Sequence, residues 1–247
     1  MRRTLLLLTV VSLVLAAGVQ AQEEPAIDPF AAQVLKEMSA YLSSLDHFTF
    51  RGEVAEDVRL DNGQLVEIGR AVDFAVRRPD RMFVEVSDNV HRRFVFDGSR
   101  LTLMDYTFNT YAQVSMPGTI DDALTTLADR YDVVIPLADL ALSDLYDKLI
   151  GDIVTGSYLG LQIVDSVGYH HLAFQQQAID WQVWVRSGPH PLPSRLVIIY
   201  KSEAGSPRFT ASLSEWDTAA PLPDETFRFE APIGAQRIEL LPVDGSR

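Results

Sequence analysis

The sequence predicts an α+β protein built as a curved antiparallel half-barrel, that is, an incomplete β-barrel, covered by helices. Two observations predict this fold class. Segments with apolar residues at every second position follow one another along most of the chain, separated by turn sequences such as Asp61-Asn62-Gly63. Segments with apolar residues at helical spacing lie at the start and in the middle of the chain, where they can cover the apolar face of the sheet.

The N-terminus has the pattern of a secretory signal peptide over residues 1–21. Two arginines precede an apolar run from Leu5 to Val19, and small residues stand before a cleavage position at Ala21. The apolar run is shorter than the roughly 20 residues that span a bilayer. We therefore expect a periplasmic protein released by signal cleavage, with residues 22–27 as a flexible tail and residues 28–247 as a single domain.

Composition excludes several classes of partner. Removing Arg2 and Arg3 with the signal peptide lowers the net charge from −13 to −15, so we expect no nucleic-acid partner and only peripheral contact with membrane components. The chain has no cysteine, which excludes disulfides, thiolate metal sites and lipid attachment at an N-terminal cysteine. We further expect a monomer whose stability comes from its packed core.

The first half of the domain is predicted to be one helix followed by a strand meander. Asp28 is a suitable N-cap and proline is favoured at the first helical position, so a helix is expected from Pro29 to about Ser43. From His47 onward, six strands joined by short turns are expected to form an antiparallel meander that is apolar on one face.

A helical insert at about residues 119–150 is predicted to act as a lid. Thr119 caps a helix that runs to about Tyr131, and a second helical segment covers roughly Leu137 to Leu149. After the insert the strand pattern resumes at about residues 159–167, 169–177, 179–186, 194–202 and 207–216. Each half alone would leave its apolar face uncovered, which favours one curved sheet over two domains.

Motifs for enzyme chemistry are missing from the sequence. The five histidines have no metal-binding spacing, no G-x-S-x-G serine elbow occurs, and no glycine-rich phosphate loop is present. Asp121 and Asp122 are explained by the positive end of the helix dipole. We therefore expect a protein that is not an enzyme, with no catalytic residue, no metal and no cofactor.

Arg70 is the charged residue that interrupts an apolar row. Simple alternation places it on the concave side with Val72 and Phe74, where it would bond a covering helix or loop or a polar group of a ligand. A bulge at Gly69 would instead turn Arg70 outward. The sequence leaves both arrangements open.

The expected concave face is rich in aromatic residues. Together with Arg70, these are the candidate ligand-binding residues: Phe48, Phe50, Phe74, Phe94, Phe96 and Trp181. They fit either an ordinary core or the wall of a hydrophobic cavity between the sheet and its helices. Trp184 lies on the opposite face from Trp181, so the two tryptophans cannot form one clamp.

The order of several short segments resembles a group of predicted periplasmic proteins, the domain of unknown function 2092, within the LolA/LolB-like superfamily of lipoprotein carriers. The segments that carry this resemblance are residues 94–98 and 101–103, 109–112, 135–140, 180–185, 191–195 and 232–235. The resemblance implies a half-barrel mouth covered by helices and a hydrophobic cavity. It also implies a strand arginine that ties down the lid, for which Arg70 is the candidate.

These observations lead to one preferred function and one alternative. We expect a periplasmic binding protein whose hydrophobic cavity holds a lipid or the acyl chains of a lipoprotein. Burial of acyl chains would supply the affinity, at about 0.8 kcal/mol per methylene. The alternative is a periplasmic sensor or scaffold that binds an envelope protein without a small ligand.

Overall fold

A computed structural model describes residues 26–88 and 90–243 of the chain. The expected signal peptide, and all but the last two residues of the expected tail, lie outside the described residues. The helices are α1 (Pro29–Ser44), α2 (Ile120–Tyr131) and α3 (Leu145–Ile150), with 3-10 turns at Ala138–Ala141 and Asp224–Phe227.

Two of the helices begin at the caps that the sequence predicts. The Asp28 carboxylate accepts hydrogen bonds from the backbone N–H groups of Phe30 and Ala31. Thr119 and Asp122 form a reciprocal capping box at the start of α2. The second lid segment is not one helix, because Leu137 has a left-handed φ of 64° and the chain is extended again at Leu142.

Twelve strands occur in the described part of the chain. They are β1 (His47–Arg59), β2 (Leu65–Arg77), β3 (Arg81–Ser87), β4 (Arg92–Phe96), β5 (Arg100–Asp105), β6 (Thr110–Ser115), β7 (Thr155–Val164), β8 (Val167–Gln175), β9 (Ile179–Arg186), β10 (Pro193–Tyr200), β11 (Arg208–Asp217) and β12 (Gln236–Ile238).

All twelve strands belong to one sheet in the order β12-β6-β5-β4-β3-β2-β1-β11-β10-β9-β8-β7. The two strand groups meet where β1 pairs with β11, antiparallel, and β12 adds to β6 in parallel. Strands β12 and β7 are the two edges, so the sheet is open and does not close into a barrel. This confirms the predicted fold class, an open antiparallel sheet with helices.

The helices cover one face of the sheet, which we call the inner face. It carries Phe50 and Phe74, which are directly paired between β1 and β2. One core cluster lies under α2, whose Ile120 and Leu127 are fully buried, and a second lies under α1. Burying a side chain of this size stabilises the fold by about 1.5–3 kcal/mol, so both helices are held mainly by packing.

The C-terminal segment, residues 218–243, which we call the strap, crosses the opposite, outer face of the sheet. After β12 it reaches the inner face, where the Val243 N–H bonds the Arg130 carbonyl. Phe227 of the strap is 2% exposed, and its ring lies 5.2 Å from the Arg77 guanidinium. Val95 and Thr102 point away from the helices, yet each is only 3% exposed. The strap therefore gives the outer face a small core of its own.

Candidate ligand-binding recess and the helical lid

Arg78 joins two parts of the lid, helix α1 and the insert. Its guanidinium donates to the carbonyl oxygen of Ala141 at 2.5 Å, and to those of Leu42 and Leu142 at 3.4 Å. Leu42 lies near the end of α1, and the other two carbonyls lie in the insert. Burial lowers the pKa of the Arg78 guanidinium, while the charge of Asp121 opposes this shift. Arg78 thus fastens both helical segments to the end of β2.

The lid contact expected of Arg70 is therefore made by Arg78. Strand β2 pairs with β1 in an uninterrupted register, so Arg70 lies opposite Val54 on the inner face and no bulge occurs at Gly69. Its guanidinium pairs with Glu56 at 2.5 Å and with Asp88 at 3.8 Å. These carboxylates hold Arg70 toward the hairpin end of β1 and β2, which is why it does not reach the lid carbonyls.

Four of the phenylalanines predicted to bind a ligand are part of the packed core. Phe48, Phe50, Phe74 and Phe96 all belong to the cluster under α2, and none is more than 3% exposed. The Phe50 ring stacks on Phe74 with 4.9 Å between centroids. These rings are covered by α2, by the segment that follows it and by Trp216, so their role in ligand binding stays a prediction.

Trp181 lies in the other core cluster, beneath α1. Its ring is 4.4 Å from that of Phe174, and 5% of the residue is exposed. Trp184 is on the outer face, where it stacks on His171 at 3.9 Å and faces the Arg195 guanidinium at 5.2 Å. The two tryptophans therefore contribute to different faces of the sheet.

Phe94, one of the predicted site residues, borders open space on the inner face. It lines a recess of about 460 Å³, which we call the inner recess. The recess lies between the β4–β6 end of the sheet, the strap and the segment after α2. Its apolar lining consists of Phe94, Leu103, Phe108, Ala112, Val133, Val134, Ile238 and Leu240. Phe94 belongs to the core cluster under α2 and Leu103 packs against it, so the recess opens directly onto that core.

Several apolar side chains of the inner recess face solvent. Phe108 is 70% exposed, Val134 is 80% exposed and Ile238 is 50% exposed. The polar lining residues are Arg92, Asp105, Thr110 and Asp132, and Arg92 Nε lies 3.2 Å from Asp105 Oδ2. Apolar walls with a few polar groups at the edge are typical of sites for ligands that carry a hydrophobic chain.

No group of three or more histidine, aspartate or glutamate side chains suited to a metal ion occurs among residues 26–88 and 90–243. Within the same part of the chain, no helix is long and apolar enough to cross a membrane.

A family model described as "Predicted periplasmic protein (DUF2092)" matches residues 31–241. The chain belongs to this family. The family placement expected from the short segments of the sequence is thereby confirmed, and the description agrees with the expected compartment. No curated protein sequence matches the chain.

The fold is similar to several solved structures. The lipoprotein LppX of Mycobacterium tuberculosis is 14% identical, with 78% of this chain and 98% of LppX covered and a TM-score of 0.48. An uncharacterised conserved protein of Thermus thermophilus is 11% identical, with 85% and 99% covered and a TM-score of 0.49. A LolA superfamily protein of Nitrosomonas europaea is 11% identical, with 81% and 97% covered and a TM-score of 0.43. At these identities the likeness concerns the fold alone.

The sequence did not indicate two parts of this arrangement. Arg78 stands in Arg78-Pro79-Asp80, which has the composition of a turn, and a turn arginine is normally solvated. Val134 and Ile238 lie outside the regular apolar rows, so alternation could not assign them to the inner recess. The sequence feature that could have indicated this role is the position of Arg78, a basic residue directly between a strand and a proline.

Proposed function

We propose that this protein is a periplasmic, non-enzymatic binding protein for a ligand with a long hydrophobic chain, either a lipid or the acyl chains of a lipoprotein. The observation that carries the proposal is the inner recess, a volume of about 460 Å³ with apolar walls on the helix-covered face. This volume lies within the range of roughly 300–1,000 Å³ typical of ligand sites. In this proposal the protein acts as a monomer.

The walls of the inner recess suggest how such a ligand would lie. Its chain would pack on Phe94, Leu103 and Val134, and each methylene removed from water would contribute about 0.8 kcal/mol. The Arg92–Asp105 pair at the rim would face the polar end of the ligand. Exposed side chains such as Phe108 would lose contact with water when the chain is bound, which adds to the affinity.

A valine pair allows a matched test. Val134 lines the recess and is 80% exposed, while Val154 precedes β7 at the opposite edge of the sheet and is 59% exposed. Because both side chains are largely solvated, replacing either with aspartate should leave the fold intact. The two variants therefore add the same charge inside and outside the proposed site.

We expect a fluorescent C16 fatty-acid analogue to bind the wild-type protein and Val154→Asp with equal affinity. Val134→Asp should bind it at least about tenfold more weakly, because a carboxylate in the apolar wall must be desolvated. Native mass spectrometry of protein purified from its host should show lipid on the wild type. Equal binding by both variants would overturn the recess as the site. Absence of lipid from every preparation would favour the scaffold alternative.

A further inference from the structure

A second recess lies on the outer face, between the strap and strands β3–β6. It has a volume of about 240 Å³, and we call it the outer recess. It lies on the other side of the sheet from the inner recess. Its charged and polar lining residues are Arg81, Asp97, Arg100, Thr102, Gln113, Asp224 and Arg228. Three of these residues are arginines, although the net charge of the chain is −13.

The carboxylates of the outer recess are already engaged. Asp97 accepts hydrogen bonds from the N–H and hydroxyl of Ser99 and from the N–H of Arg100, all through Oδ1. Asp224 pairs with Arg77 at 2.5 Å. That hydrogen bond, together with the charges of Arg77, Arg81 and Arg228, lowers the pKa of the Asp224 carboxyl group. Asp224 therefore bonds Arg77 and lies in the electrostatic field of Arg81 and Arg228.

Two guanidinium groups of the outer recess have N–H donors that are not used in hydrogen bonds with described residues. The Arg100 side chain makes no hydrogen bond or ion pair with any described residue, although its charge helps to lower the pKa of the Asp97 carboxyl group. Arg228 reaches only Glu225, at 4.0 Å, and both of these side chains are more than half exposed. Thr102 Oγ1 accepts from Gln113, which leaves its own hydroxyl hydrogen free to donate. Unused donors from sheet and strap thus border the same small volume.

We propose that the outer recess binds a small oxyanion of the phosphate class, held between Arg100 on the sheet and Arg228 on the strap. A guanidinium group matches the oxygen pairs of a phosphate through two parallel N–H bonds. The anion would join the strap to the sheet, with Arg81 supplying further positive charge. Inorganic phosphate and the phosphate of a lipid headgroup present the same chemistry to these groups.

Calorimetric titration of the mature chain with inorganic phosphate tests this site. Sodium chloride at matched ionic strength serves as the blank, since screening alone would affect both salts equally. We expect phosphate to bind the wild type with one-to-one stoichiometry. Arg100→Gln and Arg228→Gln should each weaken binding at least about tenfold, because each removes a charge-assisted hydrogen bond. Arg208→Gln, on β11, is the control and should bind as the wild type does.

A gain-of-affinity variant makes the test independent of damage to the fold. Glu225→Gln removes the carboxylate nearest Arg228 and should tighten phosphate binding severalfold. Vesicles of phosphatidylglycerol, compared with phosphatidylcholine, distinguish the two sources of phosphate. Binding to phosphatidylglycerol that Arg100→Gln abolishes would identify a lipid headgroup. The proposal is overturned if neither phosphate nor these vesicles bind better than the chloride and phosphatidylcholine controls, or if the arginine variants bind as the wild type does.

Discussion

Replacing Arg78 with leucine should loosen the lid without emptying the core. The change removes the guanidinium that bonds Ala141, Leu42 and Leu142 and leaves a side chain of shorter reach. The carbonyl of Leu42 keeps a backbone partner, the N–H of Leu45. The Ala141 carbonyl therefore loses the strongest hydrogen bond, because its bond to Arg78 is the shortest of the three.

The expected loss of unfolding free energy follows from these hydrogen bonds. A hydrogen bond from a charged donor contributes about 1.5–3 kcal/mol, which applies to the 2.5 Å bond to Ala141. The two bonds at 3.4 Å are near the geometric limit and add little. Part of the gain offsets the desolvation that also lowers the pKa of Arg78. We therefore expect Arg78→Leu to lower the free energy of unfolding by about 2 kcal/mol.

Two measurements test this expectation. Urea denaturation gives the free energy of unfolding, and hydrogen exchange shows whether the end of α1 and residues 138–145 open more often. Arg70→Leu is the control, since Arg70 pairs with Glu56 and Asp88 outside the lid and its loss should leave lid exchange unchanged. If Arg78→Leu leaves lid exchange as it is, or if Arg70→Leu increases it equally, the assignment of Arg78 as the lid arginine is wrong.

Two further predictions concern stability. A Cβ added at Gly52 would lie 2.7 Å from Leu137 Cδ1, the end of a side chain that has some room to shift. Gly52→Ala should therefore lower the free energy of unfolding in urea by about 1 kcal/mol, whereas Gly69→Ala, with its nearest neighbour at 3.9 Å, should not. Hydrogen bonds from Thr119 lower the pKa of Asp122, so its stabilising effect is present above the ordinary value of 3.8 and lost below it. The difference in melting temperature between wild type and Asp122→Asn should therefore vanish as the pH falls below 3.8 and through the lower pKa of the folded protein.

The strand pattern and the helix caps could be predicted because they depend on neighbouring residues. Alternation alone placed Phe50 and Phe74 on one face, and their direct pairing in the sheet agrees with it. The caps at Asp28 and Thr119 follow from local hydrogen bonds. Such features do not require knowledge of which strands meet.

The site depends on contacts between distant parts of the chain, which alternation does not report. Arg78 bonds Ala141, 63 residues away, because the turn after β2 comes to lie beneath the insert. The inner recess needs β12 beside β6, and that parallel pairing arises from the strap crossing the outer face. Alternation also could not decide whether the aromatic rows enclose a cavity, because only the packing of the helices determines that.

The structure sets a chain length above which a ligand could move α2 and enter the core. Lifting α2 together with the 3-10 turn Ala138–Ala141 would expose Ile120 and Leu127, at about 1.5–3 kcal/mol each. It would also break the bond from Arg78 to Ala141, at about 1.5–3 kcal/mol. At about 0.8 kcal/mol per buried methylene, roughly six to eleven additional methylenes would offset this cost.

Short-chain ligands should therefore occupy only the inner recess, while long acyl chains should also displace the lid. Titration with C8 and C16 fatty acids, followed by hydrogen exchange of α2, should show increased exchange for the C16 acid alone. Arg78→Leu, by weakening the lid, should lower the chain length at which that increase begins. Increased exchange with the C8 acid on the wild type would show that the lid is held less tightly than these contacts indicate.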